Sequence, residues 1–252
     1  MNFTSRSILV LASALVSTAA LAQAAAAPAS SLSFNVGVVS DYRFRSVAQT
    51  SFKPALQLGA DYADKSGVYV GVWGSNVSWI KDYVGATDGS TEVDVYGGYK
   101  GEIAKDLTFD IGVITYQYPG NNADTKLVNA NTTEVYGALT FGIVTAKYSQ
   151  STGNFIANPN SQGSKYFELA AAFDLGSGFT LTPHVGRQTI PNQTDNAGDY
   201  TDWSLTLAKD FGNGLTGSLA AYTTDAKDAF YKVPGFDNLG KNAVTVGIKY
   251  TF

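Results

Sequence analysis

Asp41, Arg43 and Arg45, within the stretch SDYRFR, are the densest alternation of opposite charges in this sequence of 252 residues. At i, i+2 and i+4 they would share one face of an extended strand. Two chemistries suit such a ladder: a constriction that contacts a passing solute, or ion pairs that satisfy acidic residues on facing strands. Catalysis and metal binding have less to work with. The chain has no Cys and one His, so neither thiolate sites nor a histidine cluster can be built. A Ser/His/Asp site would have to use His184, which falls with Thr180, Thr182 and Gln188 on a polar strand face, with Ser204 as a conceivable neighbour. No G-x-S-x-G elbow accompanies it. His184 therefore reads as a lone polar-face residue, and no enzyme activity, cofactor or metal is expected.

The elements that must position these residues have a period of two. In TEVDVYGGYK, Val93, Val95 and Tyr99 oppose Glu92, Asp94 and Lys100; in LTFDIGVITYQY, Leu107, Phe109, Ile111 and Val113 oppose Asp110 and Gly112. The same split sets Val135 and Leu139 against Glu134, and Trp203, Leu205 and Leu207 against Asp202 and Ser204. It predicts about twelve strands, near 33–45, 54–63, 67–77, 91–100, 107–118, 132–141, 143–150, 164–175, 179–189, 200–210, 215–224 and 242–252. Pro183 cannot donate a ladder hydrogen bond, which predicts a bulge or irregular pairing in the ninth. The connections alternate: short turns such as DKSG, GSG and GNG, then long polar segments at 46–53, 78–90, 119–131, 151–163, 190–199 and 225–241.

Short turns at one end and long loops at the other suit a transmembrane β-barrel of antiparallel strands. Strands of roughly 9 to 11 residues fit a tilted membrane span. Aromatics cluster near strand ends, at Tyr42, Tyr62, Tyr69, Tyr99, Tyr116, Tyr118, Tyr148, Trp203, Tyr222 and Tyr250. The first residues combine Arg6, an apolar run from Ile8 and an Ala20-Leu21-Ala22 ending, the form of a secretory signal peptide over 1–22, with cleavage as late as 24. A short segment, 23–32, would lead into an all-β barrel over 33–252. With 17 Lys and Arg against 21 Asp and Glu, the charge of −4 gives no basic footprint, and nucleic acid is not expected as a partner.

The segment from Phe34 to Val77 also resembles the opening of the TorF family of proteobacterial outer-membrane porins. The matching residues are Ser40-Asp41-Tyr42-Arg43-Phe44-Arg45, Gln49-Thr50, Pro54-Ala55, Gln57, Asp61-Tyr62, Ser66-Gly67 with Tyr69, and Trp73 with Ser75-Asn76. Ser46 departs from the pattern, since the family more often carries Gly there. The resemblance implies an outer-membrane location and a pore, with no established solute.

If the apolar face meets lipid, the opposite face is a lumen. Parity gives it the carboxylates of Asp41, Asp61, Glu92, Asp94, Asp110, Glu134, Glu168, Asp174, Asp202 and Asp210, against Arg43, Arg45, Lys100, Lys147 and Lys249. An excess of carboxylates predicts a weak preference for cations in a channel for small hydrophilic solutes or ions. The other reading is a structural or adhesive barrel with a closed lumen, acting through its long loops. The chain closes on VTVGIKYTF, with Val244, Val246, Ile248, Tyr250 and Phe252 in one row. Tyr250 and the final Phe252 resemble the signal read by the outer-membrane insertion machinery. That machinery, outer-membrane lipid and lipopolysaccharide, and small solutes are the expected partners in a Gram-negative cell.

Overall fold

The structure, a computed structural model, describes residues 30–83, 85–86, 88–121, 129–232 and 235–252; the expected signal peptide and the segment up to residue 29 lie outside them. Twelve strands form one closed antiparallel sheet. They are β1 (Ser31–Val39), β2 (Ala55–Ala63), β3 (Val68–Asn76), β4 (Thr91–Ala104), β5 (Leu107–Gln117), β6 (Thr132–Phe141) and β7 (Val144–Ser151). Then come β8 (Lys165–Ala171, continuing as Phe173–Gly176), β9 (Phe179–Thr189), β10 (Tyr200–Gly212), β11 (Leu215–Thr224) and β12 (Ala243–Thr251). Each strand pairs with its sequence neighbours, and β1 pairs with β12 from Asn35↔Thr251 to Val39↔Gly247. Closure leaves no strand edge to be satisfied by water, the condition for a sheet to cross hydrocarbon.

The alternation read from the sequence becomes two surfaces. Leu32, Val70, Phe141, Leu205, Val244 and Ile248 all point outward and are exposed. The inside holds Gln57, Glu92, Glu134, Gln188 and Asp202, all essentially inaccessible. This inverts the distribution of a water-soluble protein and fits a belt of lipid around a polar interior. Short turns close one rim. Two of them, Ser177–Gly178 and Asn213–Gly214, have positive φ at both central residues, the mirror-image hairpin geometry that matches strand twist.

On the inner face, bulky tyrosines are seated over glycines of the adjoining strand. Tyr96 lies opposite Gly71, Tyr69 opposite Gly98 and Tyr136 opposite Gly112. Tyr69 donates to Asp110 at 2.6 Å and also meets the Tyr136 hydroxyl; Tyr96 donates to Asp61. The glycines make space on a crowded wall, and the phenols use it to satisfy lumen carboxylates.

Two expectations are corrected. The first strand ends at Val39, six residues before its predicted end, because the chain turns into the barrel. Tyr42, Tyr116 and Tyr118 are buried inside, and Tyr69 and Tyr222 lie half-buried on the inner side, whereas Tyr62, Tyr99, Tyr148, Trp203 and Tyr250 face outward. By contrast, Asp174, Asp210 and Lys100 keep the expected inner-face parity but sit exposed toward the short-turn rim, where Asp174 and Asp210 accept the backbone N–H of Gly176 and Gly212 and Lys100 pairs in register with Asp110. Pro183 brings the expected irregular pairing rather than a bulge: β9 keeps a continuous register with β10, but its ladder with β8 lapses between Ala170↔His184 and Phe173↔Leu181, opposite Pro183.

Candidate functional site

The site is the lumen and the connection between β1 and β2, residues 40–54, which folds into it. Arg43–Phe44 and Val47–Ala48 pair as a small hairpin whose central residues are Arg45 and Ser46, at φ 47° and 65°. Left-handed backbone at two residues with side chains is unfavourable by about 1 kcal/mol or more each. Contacts at the tip hold it there.

The Arg45 guanidinium forms a two-pronged pair with Glu134 on β6, at 3.1 and 2.7 Å, and donates to Gln188 on β9 at 2.8 Å. Its carbon lies 4.2 Å from the centre of the Tyr166 ring on β8. Tyr200 on β10 donates to the Arg45 carbonyl at 3.0 Å, and Ser46 donates to Asp202 on the same strand at 2.8 Å. The hairpin leaves β1 and is anchored on β6, β8, β9 and β10, so it spans the lumen. Burial works against the Arg45 charge, but Glu134 and Tyr116 outweigh it and raise its pKa above the ordinary value.

Arg43 ties the base of the hairpin to the last long connection. It donates to Asp41 at 2.7 Å and to the carbonyls of Ser46, Leu239 and Lys241. Burial pushes the Asp41 carboxyl up from its ordinary value, more than the adjacent Arg43 lowers it. Above this layer the long connections add two apolar clusters, one around Trp79, Ile80 and Tyr118, the other around Val47, Tyr231 and Leu239. A mostly apolar cavity of about 90 Å³ lies between them.

His184 is bracketed by carboxylates. Its Nε2 is 3.1 Å from Glu168 and its Nδ1 3.6 Å from Asp202, which also accepts from Tyr166 at 2.9 Å. Ser204 stands opposite His184 in the ladder. Neither serine makes a hydrogen bond to the imidazole among the described residues, and Ser46 is engaged with Asp202. This is a polar network rather than an activated nucleophile.

Of the predicted lumen residues, Asp61, Glu92, Asp94, Asp110, Glu134, Glu168, Asp202, Lys147 and Lys249 lie on the inner face of strands. Asp41, Arg43 and Arg45 are inside too, but on the inserted hairpin rather than on the wall. The layer around Arg45, Glu134, Gln188 and Asp202 is at most 3% exposed, so it closes the barrel at this level. Toward the short-turn rim, Asp61, Tyr69, Tyr96, Asp110, Lys147 and Lys249 are half-buried and line a wetter vestibule. Sequence reasoning placed Gln188 on the polar face with His184 but missed Ser46, Gln57, Trp73 and Tyr166 as lumen groups. Ser46 carried one signal, a hydroxyl residue where the resembling family favours Gly.

The profile of a bacterial family described as "Bacterial protein of unknown function (Gcw_chp)" matches residues 22–252. No curated protein sequence matches the chain. Among solved structures, the chain is similar to the KdgM porin, at 6% identity over 87% of this chain and 99% of that one, with a TM-score of 0.55. It is similar to the NanC porin at 13% identity over 87% and 99%, with a TM-score of 0.56. A KdgM porin in complex with disordered oligogalacturonate gives 6% identity over 88% and 99%, with a TM-score of 0.52. At these identities the likeness is one of fold: a closed twelve-stranded barrel of porin type.

Proposed function

This chain belongs to the Gcw_chp family of bacterial proteins of unknown function, and we propose that it is a porin-like outer-membrane channel for small hydrophilic solutes or ions, with a weak preference for cations. The observation that carries this reading is the lumen wall. A barrel serving only as a scaffold has no need of ionisable groups all round its interior, which must be kept solvated or paired. Here carboxylates outnumber basic groups on the inner face and the inserted hairpin together, and such a field favours cations. The resemblance to the TorF porins, export by a signal peptide and recognition of Tyr250 and Phe252 during assembly belong to the same proposal, as do contacts of the outer rim with lipopolysaccharide.

The second reading, a closed barrel acting through its long loops, is favoured by the Arg45 layer. Both are accommodated if the hairpin at 40–54 is a latch that must move for passage. Planar-bilayer recording in asymmetric potassium chloride tests the pair. The channel reading expects discrete conductance steps and a reversal potential displaced toward that of potassium. A heat-modifiable, correctly folded barrel that never conducts, even with the latch weakened, leaves the closed scaffold.

A further inference from the structure

Buried polar atoms without a hydrogen-bond partner are not spread evenly round this lumen. Of eleven such atoms among the described residues, eight lie on β1 to β4 or on the inserted hairpin: Asn35 Oδ1, Asp41 Oδ1, Arg43 Nη2, both amide atoms of Gln57, Trp73 Nε1, Glu92 Oε2 and Asp94 Oδ1; the other three, Trp79 Nε1, Ser151 Oγ and His184 Nδ1, are scattered. The register gathers them into adjoining rows: Gln57 faces Ser75, which faces Glu92, and Gly59 faces Trp73, which faces Asp94. The Asn35 amide lies over Gly59 in the second row. Tyr42 closes the group from the outer side, its ring centroid 5.4 Å from that of Trp73 and its hydroxyl donating to Glu92 at 3.2 Å.

Charge separates this wall from the others. Glu134 has Arg45, Asp41 has Arg43, and Glu168 and Asp202 flank His184. Glu92 and Asp94 are direct neighbours within hydrogen-bonding reach of each other, 1% and 3% exposed; the Tyr42 and Tyr118 hydroxyls also meet Glu92, and among the described residues neither carboxyl is seen in an ion pair with a basic side chain. Two adjacent carboxylates out of water require a positive charge or a proton. A metal would need further anionic or histidine ligands, and among the described residues no group of three or more is placed to hold one. The aromatic rings, carboxylates and amide oxygens together suit an N–H-bearing cation.

We propose that Glu92 and Asp94, with Gln57 and Trp73, form a binding site for a small organic cation, a primary ammonium or guanidinium group. The proposal rests on the channel reading and names the solute class it would favour. The carboxylates supply the counter-charge, the Tyr42 and Trp73 rings form the wall, and Gln57 Oε1 accepts a remaining N–H. Gln57 Nε2 and Trp73 Nε1 are left to donate to an oxygen elsewhere on the solute. Entry is from the vestibule, because the next row, Asp61, Gly71 and Tyr96, adjoins Trp73 and Asp94 and includes the half-buried Asp61.

Calorimetric titration of the full folded barrel in detergent micelles with n-propylammonium, near neutral pH, tests the site. Saturable one-site binding is expected, weakened roughly tenfold or more by Glu92→Gln and several-fold by Trp73→Phe, which keeps an aromatic ring and removes the N–H. Glu102→Gln, at the exposed end of β4, should leave affinity unchanged. Absence of saturable binding overturns the site and leaves a proton shared by Glu92 and Asp94. Equal affinity in a folded Glu92→Gln, Asp94→Asn double variant also overturns it; if that variant does not fold, unchanged affinity in Trp73→Phe does so. A barrel that conducts potassium without binding propylammonium loses only the site, and one that binds without conducting loses only the channel reading.

Discussion

Arg45 joins four strands of the far wall to a hairpin that starts on the near wall, so closure of the barrel depends heavily on one side chain. Replacing it by Ala leaves Glu134 buried without its cation, a loss of about 3–5 kcal/mol from the closed arrangement. The expected result for Arg45→Ala is a several-fold rise in potassium conductance, with heat-modifiable folding retained; an unchanged conductance histogram would sink the latch. Ser46→Gly separates strain from contact. Glycine relieves the left-handed backbone but removes the 2.8 Å bond to Asp202. If the bond dominates, this variant opens more often than wild type, and if strain dominates, less often. Asp41 adds a dependence on pH. Its carboxyl is raised above 3.8 by burial in the inserted hairpin and would return to the ordinary value in a released one. The inserted position therefore holds the proton more tightly, gains stability as pH falls through the raised value and loses it as pH rises through that value. Open probability should fall on acidification toward about pH 4, and Asp41→Asn should remove that component; the same titration in both proteins would refute the assignment.

At the scale of elements, the seats of tyrosine over glycine fix the inner wall. A Cβ added at Gly112 would lie 2.6 Å from the Tyr136 ring and 2.7 Å from the Gly97 carbonyl oxygen. The ring can swing but the backbone cannot, so Gly112→Ala should destabilise the barrel by about 1–3 kcal/mol. Gly153→Ala meets open space and should be neutral. Urea unfolding in micelles distinguishes them, and equal midpoints would remove the packing argument. The elements themselves were legible because period and punctuation agreed: the predicted bounds of β6, β9 and β11 coincide with those observed. The inserted hairpin was not legible. Tyr42 and Phe44 alternate with charges as a lipid-facing strand would, and the reversal at Arg45–Ser46 uses left-handed backbone without the Asn or Gly that signals it. Parity assigns a residue to one of two faces of a strand. It has no third answer for a loop folded inside, so the charges were placed in the lumen correctly but on the wrong support.

For the whole molecule, the joint between β1 and β12 is, among the described residues, the one pairing between strands distant in sequence. Phe252 takes part directly: its N–H and C=O both bond to Phe34, at 2.9 and 2.8 Å, and its ring stacks with those of Phe34 and Tyr250. Deleting Phe252 should lower the amount of folded barrel in the outer membrane manyfold while synthesis and export continue. Undiminished outer-membrane levels would end its reading as an assembly mark. Every other pairing is a local hairpin, so the cyclic order of strands has no privileged origin. A circularly permuted protein, opened at the Gly142–Ile143 turn with Ser31 and Phe252 bridged by a short linker, would keep the same neighbours around the whole circumference. It would turn the present seam into an ordinary hairpin and move the free ends to the opposite side of the wall. Barrel closure, which Phe252 serves through its bonds to Phe34, and the assembly mark proposed for the same residue would thereby become separable.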